Sequence, residues 1–188
     1  TAHGSTPELG TNAVYSACRA VSKIEDFGFN VNPHEIIGSP SINVGRIKGG
    51  ININSVPDHA EFDIDIRTIP DQNHEEICSH LESYLGDEVK VNITVDVNGV
   101  ISDYSSPWIK DVFNGMATLT GEQPNIKTAK YFTDASVLTP AFGGPPTIVL
   151  GPGDAEIAHK IDEYCEIDKL YEAVKIYEMM ISKWCQLQ

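Results

Sequence analysis

The stretch Ala60-Glu61-Phe62-Asp63-Ile64-Asp65-Ile66-Arg67 alternates apolar and charged residues without a break. Successive side chains of a β-strand point to opposite faces, so this period of two predicts a half-buried strand with a charged outer face. An earlier extended run lies between Ile42 and this strand, where Ile51 and Ile53 alternate before a turn at Pro57. These patterns predict two strands in sequence.

Patterns of helix and strand lie on either side of this pair. Apolar residues recur at three- and four-residue spacing from Gly10 to Asp26, which predicts a helix. A second helix carries an apolar stripe from Ile77 to Leu85 and stops at Gly86. Residues 89–97 then alternate as a long strand. With one further strand before Thr1, this order would complete a ferredoxin-like βαββαβ sheet, with both helices on one face.

The pattern changes in the second half of the chain. Ser106-Pro107 predicts the start of a helix, because serine caps helices and proline suits the first helical position. Thr147 to Leu150 reads as a short apolar strand, and Ile167 to Cys185 as the last helix. These elements are too few to close a core, so we expect part of a larger α/β domain. The predicted class is α/β with an α+β first domain, divided as residues 1–98 and 99–188.

Composition limits the choice of partners and compartment. The net charge of −14 argues against a nucleic acid or an anionic membrane, since an acidic field repels phosphate. The four cysteines are scattered without the paired spacing of a zinc ribbon or disulfide scaffold. No apolar run approaches the length of a membrane span, and Thr1 opens no signal-peptide pattern. We therefore expect a cytoplasmic protein with reduced thiols.

Three polar residues lie where chemistry is possible. His159 follows the predicted strand at 147–150, and ligands of α/β sheets bind beyond the carboxyl ends of strands. His3 stands in a turn rich in glycine and hydroxyl groups, where capping is the simpler reading. Arg67 ends the alternating strand and offers a planar fork for a carboxylate, although a surface charge ladder would also explain it.

Two weaker motifs are set aside. The segment His74-Glu75-Glu76-Ile77-Cys78 approaches the helical H-E-x-x-H zinc pattern, but a cysteine occupies the place of the second histidine. A solvated acidic helix face is the simpler interpretation. Gly151-Pro152-Gly153 lacks the third glycine of a dinucleotide fingerprint and is flanked by acidic residues, which disfavours phosphate binding.

Five blocks, taken in order, resemble the M20 metallopeptidase family, in its acetylornithine deacetylase and succinyl-diaminopimelate desuccinylase branch. They are Ala2-His3-Gly4-Ser5 with Gly10-x-Asn12-Ala13, Gly49-Gly50-x-x-x-Asn54-x-Val56-Pro57 with Asp65-Ile66-Arg67, Thr133-Asp134-Ala135, Gly151-Pro152-Gly153, and Ala158-His159-Lys160. The resemblance spans nearly the whole chain.

The resemblance implies a catalytic α/β domain holding two zinc ions, with cobalt or manganese as alternatives, and an inserted lid that forms homodimers. His159 would be a zinc ligand. His3 would reach the active site of the partner subunit and stabilise the oxyanion of the intermediate. Arg67 would bind the carboxylate of the substrate, and Asn54 would also hold the substrate. The loop with Gly151 and Gly153 would line the substrate end of the pocket.

The other metal ligands of the family belong to sequence upstream of His3 and are absent here. The expected function is part of a zinc-dependent hydrolase that cleaves the amide bond of N-acyl amino acids, of the N-acetylornithine or N-succinyl-diaminopimelate type. The chain alone is expected to be inactive, because one histidine supplies too few ligands. Two alternatives stay open: an aminoacylase, dipeptidase or carboxypeptidase of the same family, and a non-catalytic dimerisation or binding module.

Overall fold

The computed structural model describes residues 1–186. The chain divides into two compact units, Thr1–Gly99 and Val100–Gln188. Helices and small antiparallel sheets occur together in the first unit, and the second is helical in its regular elements. The predicted mixed α/β class is therefore confirmed.

The first unit is built around a two-stranded hairpin covered by two helices. Its elements are β1 (Ala2–His3), α1 (Ala13–Ile24), β2 (Ser41–Gly49), β3 (Ser55–Val56), β4 (Ala60–Arg67) and α2 (His74–Leu85), with a short 3-10 helix at Pro7–Leu9. β2 pairs antiparallel with β4, and β1 with β3. The predicted order of helix, two strands and helix is found as α1, β2, β4 and α2, whereas the two-residue strands β1 and β3 were not predicted.

The alternating residues of β4 divide between core and solvent as predicted. Phe62, Ile64 and Ile66 pack against a buried cluster formed by α1, α2 and the turn after α1. Its buried members are Ala20, Ile24, Phe27, Leu81 and Leu85. The opposite face carries cross-strand ion pairs, including Arg46 with Asp63 at 2.6 Å. The hairpin is thus held by apolar burial on one face, and its exposed ion pairs add little.

Side-chain caps fix where both helices begin. The Asn12 carboxamide oxygen accepts from the amides of Val14 and Tyr15 at the start of α1. Asn73 does the same for α2, and Gly86, with φ of 84°, ends that helix. The predicted stop at Gly86 is confirmed, since glycine takes a left-handed backbone angle without steric cost.

Three predicted strand segments are wrong within residues 1–186. Ile51 and Ile53 lie in the loop after β2, 89% and 105% exposed, because the first strand of the hairpin is Ser41–Gly49. Residues 89–97 and 147–150 belong to no sheet among the described residues. A strand requires a neighbour for its backbone hydrogen bonds, and neither segment has one in these sheets.

The second unit contains α3 (Pro107–Thr120), α4 (Ala135–Ala141) and α5 (Ile167–Cys185). The Ser106 hydroxyl accepts from the Ile109 amide, so the predicted cap of α3 is confirmed. α3 packs on α5 at close range, since a Cβ at Gly115 would lie 2.7 Å from the Met179 sulfur. α4 carries an internal Pro140 and was not predicted from the sequence.

Candidate functional site

His3 and Asn54 lie side by side at one end of the first unit. β1 pairs with β3 so that His3 faces Ser55, and the Gly4 amide donates to the Asn54 carbonyl at 2.7 Å. A Cβ at Gly4 would lie 3.0 Å from the Asn54 carbonyl carbon, so glycine permits this approach. The structure thus brings together two residues 51 positions apart in the sequence.

The hydrogen bonds of His3 define which ring nitrogen can act on a substrate. The Ser5 amide donates to Nδ1 at 3.2 Å, and the Ser5 hydroxyl lies 2.8 Å from the same atom. Because Nδ1 accepts from an amide, the neutral ring carries its proton on Nε2. His3 is exposed. It can therefore offer an Nε2 proton to a group outside the unit.

The loop that carries Asn54 is tied by its neighbours. The Asn52 carboxamide oxygen accepts from the Asn54 amide at 3.2 Å and from the Ser55 hydroxyl at 2.7 Å. Val56, two residues after Asn54 in the sequence, is only 3% exposed, so its burial anchors the loop. These contacts leave the Asn54 side chain exposed beside His3 on a fixed backbone.

Arg67 makes no hydrogen bond to His3 or Asn54 among the described residues. It ends β4, whereas Asn54 lies in the loop that precedes the first residue of β4, Ala60. Seven strand rises separate Ala60 from Arg67, about 23 Å at ~3.3 Å each. The Arg67 guanidinium donates through Nε and Nη2 to Asp65, at 3.1 and 2.8 Å. A substrate carboxylate would compete with that bond.

His159 lies in the second unit, in an exposed loop. Its backbone adopts a left-handed φ of 63°, and its amide donates to the Glu163 carboxylate at 2.8 Å. Left-handed backbone at a non-glycine residue costs about 1 kcal/mol and occurs often at functional sites. At Gly151 and Gly153 a Cβ would meet open space, so no neighbour in this unit requires glycine there.

The residues present do not form a metal centre by themselves. Across residues 1–186 there is no group of three or more histidine, cysteine, aspartate or glutamate side chains arranged to hold an ion. A zinc site takes three or four protein ligands, and His159 can supply one of them.

One polar cluster was not anticipated from the sequence. His74 bridges Thr68 and Asp96, with Nε2 3.1 Å from the Thr68 hydroxyl and Nδ1 2.5 Å from the Asp96 carboxylate. No sequence spacing connects these three positions. Burial, followed by the Asp96 charge, raises the pKa of the nearby Cys78 thiol.

The order of hydroxyl, imidazole and carboxylate in this cluster is that of a hydrolase triad. Catalysis would also need donors for an oxyanion. Two amides at the start of α2, those of Glu75 and Glu76, already donate to the Asn73 carboxamide oxygen. The bond from His74 to Asp96 therefore ties residues 89–97 to the start of α2.

The first unit coincides closely with a segment that matches a known protein family. Residues 1–92 match the family model described as peptidase dimerisation domain, M20_dimer. The chain is 27% identical to an acetylornithine deacetylase from Photorhabdus laumondii over 97% of its own length and 49% of the relative. An acetylornithine deacetylase from Vibrio vulnificus is 28% identical, with 97% and 50% covered. The chain thus spans about half the length of these relatives.

Solved structures share the fold at lower identity. Aminopeptidase PepT from Bacillus cereus superimposes with a TM-score of 0.68 at 21% identity, covering 97% of this chain and 48% of that one. An M20 family metallo-carboxypeptidase from Sulfolobus solfataricus gives 0.65 at 16% identity, with 96% and 54% covered. Among the described residues, no helix combines the length and apolar character needed to cross a membrane. Residues 1–92 thus resemble the peptidase dimerisation domain of M20 peptidases, and the rest of the chain shares the fold of these solved structures.

Proposed function

We propose that this chain is part of a metal-dependent amidohydrolase that releases the acyl group from an N-acyl amino acid. Residues 1–98 would be its lid and dimerisation domain, and residues 99–188 the C-terminal part of its catalytic domain. The observation that supports the proposal is the placement of His3 beside Asn54, through the pairing of His3 with Ser55 and the bond from the Gly4 amide to the Asn54 carbonyl, in a unit that matches the M20 dimerisation domain. N-acetylornithine is the preferred substrate, because the relatives described above are named acetylornithine deacetylases, with N-succinyl-diaminopimelate as the alternative.

The chemistry of the pair suits amide hydrolysis. Attack of water on an amide carbonyl builds negative charge on the carbonyl oxygen, and oriented donors stabilise that charge. The Nε2 proton of His3 and the carboxamide of Asn54 are exposed donors on a fixed backbone. Through a lid-mediated homodimer, they would serve the active site of the partner subunit.

The other site residues would serve the substrate and the metal. Zinc bound in the parent would activate the attacking water, with His159 as one ligand. Arg67 would exchange Asp65 for the carboxylate of the substrate, and the loop from Gly151 to Gly153 would line the pocket. A single arginine would explain how a protein with a net charge of −14 binds an anionic substrate.

The test uses an extended protein, in which the half of the Photorhabdus laumondii relative outside the matched segment is joined to this chain in the order of the relative. We expect it to hydrolyse N-acetylornithine faster than N-succinyl-diaminopimelate or simple dipeptides. His3→Ala should lower kcat by about 100-fold with little change in KM, as expected for a lost oxyanion donor. His59→Ala, at an exposed histidine paired with Glu61, is the matched control.

Equal losses in the two histidine variants, or none in His3→Ala, would contradict the role of His3. The 188-residue chain alone should show neither turnover nor stoichiometric zinc by metal analysis. Tight zinc together with turnover in that chain would refute its proposed inactivity.

A non-catalytic dimerisation module is the second candidate. It is favoured by the lack of a metal-binding group among residues 1–186. If this candidate is correct, light scattering should show a dimer of the 188-residue chain. The extended protein should then show no turnover with any of the substrates.

A further inference from the structure

The turn that follows β1 places both polar groups of Ser5 on the ring of His3. The Ser5 amide donates to His3 Nδ1 at 3.2 Å, and the Ser5 hydroxyl oxygen lies 2.8 Å from the same atom. An amide N–H can only donate, so Nδ1 is the acceptor, and the hydroxyl can donate to it as well. Two donors of one residue therefore converge on a single ring nitrogen, and the hydroxyl makes the shorter contact.

Backbone groups alone close this turn. The Thr6 amide donates to the His3 carbonyl at 2.9 Å, and the Gly4 amide donates to the Asn54 carbonyl at 2.7 Å. Neither bond uses the Ser5 hydroxyl, whose one hydrogen-bond partner within residues 1–186 is the His3 ring. The backbone thus accounts for the turn, and the hydroxyl is left to act on the ring.

The orientation of the ring decides where the proton of His3 points. With Nδ1 held against Ser5, Nε2 lies across the ring and is directed away from the turn. A ring rotated by half a turn about its Cβ–Cγ bond would place the carbon Cδ2 beside the two donors and lose both bonds. The opposite tautomer, with its proton on Nδ1, would set that proton against the Ser5 amide hydrogen. One orientation and one tautomer satisfy both donors.

We propose that Ser5 is a positioning residue, whose hydroxyl holds the His3 ring with its proton on Nε2 and directed away from the turn. This role deepens the proposed function and rests on it, because that proton would stabilise the oxyanion formed from the amide substrate. A donor that is already oriented needs no reorganisation as the charge develops. An exposed side chain that nothing holds changes its rotamer within nanoseconds or faster.

Nuclear magnetic resonance of the ring nitrogens tests the role in the 188-residue chain. At about pH 8, where an ordinary histidine is neutral, His3 should give two well-separated nitrogen shifts, Nδ1 as an acceptor and Nε2 as a donor. In Ser5→Ala the two shifts should move towards each other, because the ring then samples both tautomers. Ser5→Thr keeps a hydroxyl and should restore the separation. Unchanged shifts in Ser5→Ala would overturn the proposal.

Thr6→Val is the matched control. It removes the other hydroxyl of the same turn and keeps the shape of the side chain, and that hydroxyl lies 3.4 Å from the His3 carbonyl oxygen. The ring shifts should remain as in the unsubstituted chain. Exchange of the Gly4 amide, which is bonded to Asn54, reports whether β1 and β3 stay paired. Equal ring changes in the two variants, or faster exchange of the Gly4 amide in Ser5→Ala, would mean that the hydroxyls hold the turn and would overturn the proposal.

Kinetics of the extended protein test whether Ser5 acts through His3. Ser5→Ala should lower kcat by about 10-fold, less than His3→Ala does, with KM nearly unchanged. In a His3→Ala background the same substitution should have no further effect, because the ring that Ser5 positions is gone. Ser5→Thr should recover most of kcat. Equal losses in the two backgrounds would show that Ser5 acts on something other than the ring, and would overturn the proposal.

The two kinds of measurement separate this role from the proposed function. The ring shifts are measured in the chain alone and do not depend on hydrolysis. An extended protein that hydrolyses nothing, while Ser5→Ala still releases the ring, would support the hold of Ser5 on His3 and count against the proposed function. An active extended protein in which His3→Ala lowers kcat and Ser5→Ala does not would overturn the role of Ser5 and leave the proposed function standing.

Discussion

Two regions of the first unit carry the same sequence pattern and take different structures. Residues 60–67 and residues 89–97 both alternate apolar and polar side chains. The first region is β4, with alternate residues turned to the core and a full ladder to β2. In the second, Ile93 and Val95 are 56% and 72% exposed, and no strand forms. Alternation therefore specifies which face a strand buries, while a neighbouring strand decides whether it forms at all.

The two regions differ in whether a partner strand lies nearby in the sequence. β4 follows β2 after ten residues, 50–59, which include the short β3, so its partner is local in sequence. Residues 89–97 have no such neighbour among the described residues, because the two sheets there pair only β1 with β3 and β2 with β4. They are held instead by side chains, through Asp96 and His74.

Removing one apolar side chain from each region should give the largest contrast. Ile64 packs on the buried cluster, so Ile64→Ala should lower the free energy of unfolding of the first unit by about 2 kcal/mol. Val95→Ala should change it by less than ~0.5 kcal/mol, because Val95 is mostly exposed. Urea denaturation followed by circular dichroism measures both. Comparable losses would mean that residues 89–97 are packed as tightly as β4.

The close approach of α1 to the hairpin can be tested at Gly49. A Cβ there would lie 2.7 Å from the Ala60 Cβ and 2.9 Å from a Val14 methyl carbon. Gly49→Ala should therefore destabilise the unit by about 1.5 kcal/mol through overpacking. Gly45→Ala on the same strand is the control, since its nearest neighbour would be 3.8 Å away. If both variants unfold at the same urea concentration, the packing of α1 on β2 is looser than the structure indicates.

Sequence patterns were sufficient where the determinants are local. The apolar spacing and stop signal of α2, the cap at Ser106 and the alternation of β4 each identify their element. They were insufficient for residues 89–97 and 147–150, which alternate or are apolar but join no sheet among the described residues. Ile51 and Ile53 were also wrongly predicted as part of a strand, because a period of two occurs by chance in an exposed loop.

The candidate site divides in the same way. The hydroxyl- and glycine-rich turn marked His3, and the family resemblance marked Asn54, but only folding brings the two together through β1 and β3. The bond from Arg67 to Asp65 connects two residues of β4. This contact is compatible with the alternative interpretation of Arg67 as part of a surface charge ladder. The contact of His74 with Asp96 crosses 22 residues and gave no signal in the sequence.

Asp96→Asn should loosen residues 89–97 without affecting β4. The substitution weakens the bond to His74 and removes a charge that raises the pKa of the Cys78 thiol after burial does. In a background where the three exposed cysteines, Cys18, Cys165 and Cys185, are serine, Cys78 should react several-fold faster with a thiol reagent at pH 8.

Glu82→Gln is the matched control for this experiment. Glu82 contributes the smaller charge effect on Cys78 and makes no bond to residues 89–97 in the described structure. In Glu82→Gln the reaction rate of the Cys78 thiol should rise less than in Asp96→Asn. Identical rates in the two variants would mean that only charge, and not the position of the segment, had changed.

The smallest expected effect concerns the charged outer face of the hairpin. Hydrogen bonding to Lys48, and then its charge, lowers the pKa of Glu61 below its usual value of 4.5. A carboxylate whose pKa is lower in the folded state stabilises the fold above its unfolded pKa, and this contribution is lost as the pH falls through the folded pKa. The urea midpoint should therefore fall on acidification below about pH 4.5, and slightly less in Glu61→Gln. Glu88→Gln removes a carboxylate whose pKa is similarly lowered by Arg19 but which lies outside the ladder. If Glu61→Gln follows the wild-type pH dependence while Glu88→Gln does not, the cross-strand pair contributes nothing, and apolar burial alone distinguishes β4 from residues 89–97.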